Sequence, residues 1–389
     1  MDNITHSLIG LAAGEACSTV RKKNRAPIWI ASMLANNIPD IDVPIGALIS
    51  RDPLSHLLMH RGYSHTLLLA PLQGPIVFLL IWALYRKKQD FPLREVLAVS
   101  VLGPFLHILA DYWNSYGVHP FWPFSNEWYY GDFVFILEPW IWLITIPALF
   151  LATKSKALRS SFALVGIGII ILAWINALVP WQVAALLSSF TILFSFLLSR
   201  VASAQSRISI SCAVLTAMLG IFSFTRMSLA KEYSRPGFEL ALAPYPGNPF
   251  CWTAQSAGFI GSEYHAAVVR LAPFPAIFPV QNCPLFFSAG TSAPLNRVDQ
   301  PFSRSKLVLG IFTAKREELD KLSHDCRAEA FLRFARIPYW KQVGDHWLMG
   351  DLRFDRGGGR NFASVEVPGT GCPDFQAPWV GKFHPEHSH

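Results

Sequence analysis

The feature that most restricts the possible folds is a series of apolar runs separated by short basic clusters. Thr66–Tyr85, Val96–Trp113, Glu138–Ala152, Phe162–Val179, Trp181–Ser199 and Ile208–Ala230 hold few or no charged residues. Arg86-Lys87-Lys88, then Lys154, Lys156 and Arg159, then Arg200 and Arg207 follow alternate runs. Most of these stretches approach the ~20 residues that cross a bilayer as a helix. Two shorter runs precede them: Leu8–Val20, interrupted by Glu15, and Ala26–Ile38, stopped by Pro39. At about 13 residues each they are too short to span unaided, and are expected as short packed helices or a re-entrant pair. A hydrophobic content of 52%, only 15% charged residues and a mean hydropathy of +0.31 agree with a membrane protein. The apolar excess ends near residue 230.

Met1–Val20 lacks the basic start of a cleavable signal, because its basic residues (Arg21, Lys22, Lys23, Arg25) come after the apolar part. It is expected to be a retained helix. The expected architecture is therefore an α-helical transmembrane bundle of about eight helices over 1–230. A small α+β or mostly β extracytoplasmic domain follows over 231–389. Basic loops at 21–25, 86–94, 154–159 and 200–207 are assigned to the cytoplasm, which places the tail on the outer side. The formal net charge of +7 is explained by these loops. No basic stripe interleaved with exposed aromatics points to nucleic acid.

Beyond Lys231, Tyr264–Leu271, Leu307–Phe312 and Trp347–Phe354 read as strands, Lys315–Ala335 contains a helical stretch, and Pro244–Phe250 is a turn-rich opening. Four of the six cysteines lie here, Cys251, Cys283, Cys326 and Cys372. They are compatible with two disulfides in any of three connectivities. Cys17 and Cys212 fall in helices and read as ordinary buried thiols. The terminal His384, His387 and His389 read as an unstructured polar end.

The topology brings a spread-out set of polar residues to one membrane face. His6 lies at the outer end of the first helix, and Asp40 and Asp42 follow the second. His56, His60 and His65 precede the third, His107 and Asp111 end the fourth, and Glu138 begins the fifth. Ionisable groups in or beside membrane segments are costly and mark function. Imidazoles and carboxylates together suit a divalent ion, and His107-x-x-x-Asp111 puts one of each on a single helix face. Arg61 would hold an anionic group or pair with Asp40; His119 and Asp132, in the aromatic loop 116–137, would support the site or lie at the interface.

These residues also form ordered motifs. Asp2-x-x-Thr5-His6 with Gly10 comes first, then Asn37-x-Pro39-Asp40-x-Asp42, then His60-Arg61-Gly62-x-Ser64-His65-Thr66. His107-x-x-x-Asp111-x-x-Asn114-x-Tyr116-Gly117 follows, with Pro123-Phe124-Ser125 and Asp132–Pro139 after it. In this order they resemble the YdjM-like family of bacterial inner-membrane proteins, regarded as metal-dependent hydrolases and in some cases under SOS (LexA) control. The resemblance covers roughly residues 1–150. Glu138 stands where the family pattern has Asp. Asn248-Pro249-Phe250-x-Trp252 and Asp351-Leu352-Arg353-Phe354 are similar to longer members of the family. The ligand mixture is distantly similar to that of zinc-dependent phospholipases C.

The resemblance implies a multi-pass protein of the bacterial inner membrane, with a periplasmic C-terminal domain and a site at the outer face. His6, Asp42, His60, His65, His107 and Asp111 would hold one to three divalent ions, zinc foremost, with manganese or another divalent ion as the alternative. Asp40 or Glu138 would manage the proton, and Arg61 would neutralise charge on the substrate. A phosphoester or other ester of a lipid or lipid-linked molecule suits that depth. The competing expectation is a non-catalytic membrane protein with a structural or regulatory metal site, whose outer domain binds an envelope partner. A transporter is disfavoured, because the polar residues lie at one face and not at the midplane. There is no His-Glu-x-x-His and no Gly-x-Ser-x-Gly.

Overall fold

The computed structural model describes residues 1–18, 25–284, 293–296, 303–355, 361–369 and 371–384. The basic residues Arg21, Lys22 and Lys23 and the histidines His387 and His389 lie outside them. The chain opens with α1 (Asn3–Cys17), whose first amides are capped by Asp2, and α2 (Arg25–Ala35). Pro39 then forces a short 3-10 turn, Ile38–Ile41. Two helices that the apolar pattern does not announce follow, α3 (Asp42–Ile49) and α4 (Pro53–Met59). A second 3-10 turn, Tyr63–His65, leads into α5 (Ala70–Tyr85) and α6 (Leu93–Tyr112). After the aromatic loop come α7 (Pro139–Ala152), α8 (Lys156–Ile175), α9 (Trp181–Arg200) and α10 (Ala204–Tyr233).

Among the described residues, four helices are long and apolar enough to cross a membrane by themselves: α6, α8, α9 and α10. The run expected from Thr66 is shorter as a helix, because residues 66–69 form a turn. It reaches spanning length only with Pro53–His65, from which it is bent by 80°. With 14 residues, α7 is a short helix enclosed by its neighbours, buried at nearly every position from Pro139 to Leu149. Its C-terminal carbonyls accept from basic side chains, Arg25 Nη1 to Ala152 O at 3.5 Å and Arg207 Nη1 to Leu151 O at 3.2 Å. Glu15 is buried but satisfied, accepting from Arg25 Nη1 at 2.6 Å and Trp29 Nε1 at 3.0 Å.

Small residues set the crossing distances that build the site. A Cβ on Gly103 would stand 2.5 Å from the Ala35 Cβ, and one on Gly10 would stand 2.5 Å from the Ser32 carbonyl oxygen. Without them α1, α2 and α6 could not approach closely enough to bring their ends together.

The chain beyond α10 is an α+β unit. β1 (Phe238–Tyr245), β2 (Asn248–Ile260), β3 (Glu263–Leu271) and β4 (Lys306–Lys315) form an antiparallel sheet in sequential order. The turn-rich opening tightens into the β1–β2 turn, with Gly247 at φ +64°. The expected helical stretch is two helices, α11 (Arg316–Leu322) and α12 (Cys326–Leu332). A second antiparallel sheet contains β5 (Pro338–Val343), β6 (His346–Asp351) and β7 (Ser364–Val367). The cysteines pair as Cys251–Cys283 and Cys326–Cys372, while Cys17 and Cys212 are free thiols.

The first sheet is buried on both faces. Leu242, Trp252, Ala254 and Leu271 join a core with Phe222 and Leu229 of α10. Ala241, Ala257, Ala266 and Val268 join another with Phe331, Phe334 and Trp379, and this core also takes in Leu54, Leu57 and Leu58 of α4. The composition changes at residue 231; the cores run across it.

Candidate metal centre

The two 3-10 turns, the start of α1 and the end of α6 supply the polar cluster. His65 Nε2 and His107 Nε2 face each other at 3.0 Å. Asp40 Oδ1 is 3.5 Å from each of these nitrogens, and Asp111 Oδ2 is 3.3 Å from His65 Nε2 and 3.4 Å from His107 Nε2. A second group, Asp40, Asp42 and His60, shares Asp40 with the first. His6 Nε2 lies 3.2 Å from Asp111 Oδ1, and its ring stacks on His107 with centroids 3.7 Å apart.

The donor set fits a metal. Four ligands placed tetrahedrally at about 2.0–2.1 Å from a zinc ion are separated from one another by roughly 3.3 Å, and the five distances that involve His65 or His107 lie between 3.0 and 3.5 Å. His6 Nδ1 is buried without a hydrogen-bond partner and Nε2 makes only the 3.2 Å approach to Asp111 Oδ1, a costly condition for an imidazole that ligates nothing. The far sides of the His107 and His65 imidazoles are anchored as ligating histidines require. His107 Nδ1 donates to Asn36 O at 2.9 Å, which leaves Nε2 as the free donor atom. His65 Nδ1 lies 3.0 Å from Ser64 Oγ, and His60 Nδ1 lies 3.2 Å from Asp42 Oδ1. Burial raises the Asp42 carboxyl, but His60 and His65 outweigh it and hold the group below the usual carboxylate range. Asp40 is held low in the same way, by His107 and His65 against burial.

Arg61, expected to hold an anionic group or pair with Asp40, bonds a carboxylate of the cluster. It is buried, at φ +58°, and its fork is consumed inside the protein. Nη2 pairs with Asp111 Oδ1 at 2.8 Å, and Nη1 reaches Asn114 Oδ1 at 3.2 Å and Gly117 O at 3.3 Å. Its backbone amide donates to Asp42 Oδ2 at 2.8 Å. Arg61 thus orients a carboxylate of each group. Gly62 follows because a Cβ there would stand 2.5 Å from the Trp379 ring. The α-amino group of Met1 also contacts Asp111.

Four other sequence candidates make their contacts outside the two donor groups. Glu138 caps α7, accepting from the Trp140 amide at 3.3 Å, and none of its hydrogen bonds reaches the cluster. Asp132 pairs with Arg336 at 2.9 Å, and Arg336 also holds Glu239 at 2.6 Å, so this buried set ties the aromatic loop to β1. His56 Nε2 lies 2.6 Å from Ser50 O at the α3–α4 junction. His119 is enclosed by Trp128 and Trp379, with ring centroids at 3.7 and 4.3 Å. Sequence reasoning passed over Asn36 and gave Ser64 no role; their signal was the Asn36-Asn37 doublet at a helix end and a hydroxyl beside a candidate histidine.

Residues 1–183 match the model of the YdjM inner membrane protein family. An uncharacterized protein, YfhP of Bacillus subtilis (strain 168), is 25% identical over 154 residues, 38% of this chain and 45% of that protein. The chain thus spans under half the length of this curated relative. No solved structure matches the chain.

Proposed function

We propose that this membrane protein, YdjM-like through its first 183 residues, is a metal-dependent hydrolase. Its substrate would be a phosphoester or other ester of a lipid or lipid-linked molecule, cleaved at the outer face of the inner membrane. The observation that carries the reading is the set of four donor atoms, from Asp40, His65, His107 and Asp111, at the mutual distances a small divalent ion requires. These four residues, with His6 beside them, would hold one ion. Asp42 and His60, sharing Asp40, would hold a second at the wall of a cavity. Asp40 then moves from proton handling to a shared ligand, Arg61 becomes a positioning residue, and Glu138 leaves the mechanism. Zinc, or manganese in its place, supplies Lewis acidity toward the ester oxygen and toward water. The three-residue group leaves a coordination position for substrate, as catalytic sites do.

Elemental analysis of the purified protein, paired with ester turnover, tests this. Stoichiometric divalent metal is expected, lost in His107→Ala and Asp111→Ala, while His60→Ala loses turnover by at least 100-fold and keeps the buried ion. Metal-free protein with intact turnover, or a His60→Ala variant with unchanged turnover, defeats the reading.

The completeness of the buried group favours a second reading. Four protein donors fill a tetrahedral ion, as in structural sites, and the protein would then be a non-catalytic one whose outer domain binds an envelope partner. Its signature is loss of fold in His107→Ala with no effect of His60→Ala or Asp42→Asn on any cellular phenotype.

A further inference from the structure

A cavity of about 740 Å³ leads away from Asp42 and His60, within the ~300–1,000 Å³ of small-molecule sites. Val43, Gly46 and Ala47 of α3 line one side, and Val134–Ile136 another. The far wall comes from the outer unit: Ala243 and Tyr245 on β1, Thr253 on β2, and Phe354 and Phe362 beyond β6. Ala243 and Thr253 are register partners, so they present one face of the hairpin to the cavity.

Two observations say what fits there. First, α3 begins at the site residue Asp42, yet Ile45, Leu48 and Ile49, which do not line the cavity, are 41–87% exposed. An apolar face of this kind on a short helix beside membrane spans belongs in the bilayer interface. The helix that carries Asp42 therefore offers an apolar face to a bilayer on one side and lines the cavity on the other. Second, Arg353, a charged residue of the same lining, offers nothing to a polar head. Its guanidinium is spent on Asp351 Oδ2 at 2.7 Å, Ser115 O at 2.7 Å and Phe334 O at 3.2 Å. Asp42 and His60 are polar groups of this lining, Thr253 and Gln255 add polar atoms from β2, and the lining as a whole is chiefly hydrocarbon and aromatic surface.

We infer that the hydrocarbon chain of a bilayer lipid occupies this cavity with its head at Asp42 and His60, so that the β1–β2 hairpin, Phe354 and Phe362 select the chain the site accepts. This rests on the hydrolase reading for what happens to the head, and assigns residues 231–389 a part in substrate choice.

Photo-crosslinking tests it without requiring turnover. The whole protein is placed in nanodiscs of phosphatidylethanolamine and phosphatidylglycerol, doped with a phosphatidylglycerol that carries a diazirine at the end of one acyl chain. After illumination, labels are expected on the β1–β2 hairpin and on Phe354 or Phe362. That labelling is expected to fall at least fivefold in Ala243→Phe and in Thr253→Phe, two independent strand-compatible substitutions that fill the space, with metal content unchanged. Labels confined to α8, α9 and α10 in the wild type overturn the inference, as does undiminished hairpin labelling in both filled variants. A protein that cleaves esters but does not label at the hairpin refutes the chain site and leaves the hydrolase reading intact. Labelling with no turnover on any ester refutes catalysis alone.

Discussion

Arg61 is the residue whose chemistry reaches farthest, because one buried guanidinium holds Asp111, Asn114 and the Gly117 carbonyl. Removing one partner of a buried pair strands the other charge, at about 3–5 kcal/mol. Arg61→Met is expected to lose that much stability and most bound metal, read by thermal unfolding in detergent and elemental analysis. Arg61→Lys keeps the charge but not the fork, and should fall between. His119 offers a pH test. Burial, with His65 and Arg61 nearby, pushes its pKa down to about 3 against the opposing bond to the Arg61 carbonyl. The unfolded chain takes up this proton near pH 6.5 and the folded chain does not. The contribution is complete above about 6.5 and is lost as pH falls toward 3, with a slope up to ~1.4 kcal/mol per unit. Unfolding temperatures of His119→Gln should fall less steeply than those of the wild type between pH 6.5 and 4; parallel curves disprove this.

Helix ends make the site, so the crossings that place them matter as much as the ligands. Gly103 lets α6 lie against Ala35 of α2, one residue before Asn36, whose carbonyl fixes the His107 tautomer. Gly103→Val forces the two helices apart, an overpacking cost of roughly 1–3 kcal/mol. Lower unfolding temperature and reduced metal occupancy are expected, with partial recovery on adding Ala35→Gly; full metal binding in Gly103→Val alone contradicts it. The long spans were legible from hydropathy, to within a few residues at each end. Neither α3 nor α4 was, since eight- and seven-residue helices between a proline turn and a glycine turn carry too few periodic positions. The helices α11 and α12 merged into one expected stretch because Ser323–Asp325 breaks them without proline or glycine.

Across the whole molecule the C-terminal unit is joined to the helices by more than the chain. Leu54, Leu57 and Leu58 of α4 share a core with Phe331 and Trp379, and Arg336 bonds both Asp132 and Glu239. The paired cysteines Cys251–Cys283 and Cys326–Cys372 accord with an oxidising compartment, in line with the outward orientation proposed from the basic loops. Alkaline phosphatase fused after residue 384 should therefore be active, and a green fluorescent protein fusion there dark. The reverse pattern would invert the topology and move the proposed site to the cytoplasmic face.

The sequence by itself determined the class of fold, because spans and basic loops obey one-dimensional rules of length and charge. It also marked the histidines and carboxylates, because so few polar groups stand at helix ends in an apolar chain. Their grouping was beyond it. Whether Arg61 faces a substrate or Asp111, whether Glu138 meets the cluster or caps α7, and which cysteines pair depend on where elements far apart in the chain cross. Those crossings are set by contacts such as Gly103 on Ala35 and Trp379 on Gly62, where the space left by one missing Cβ decides the geometry.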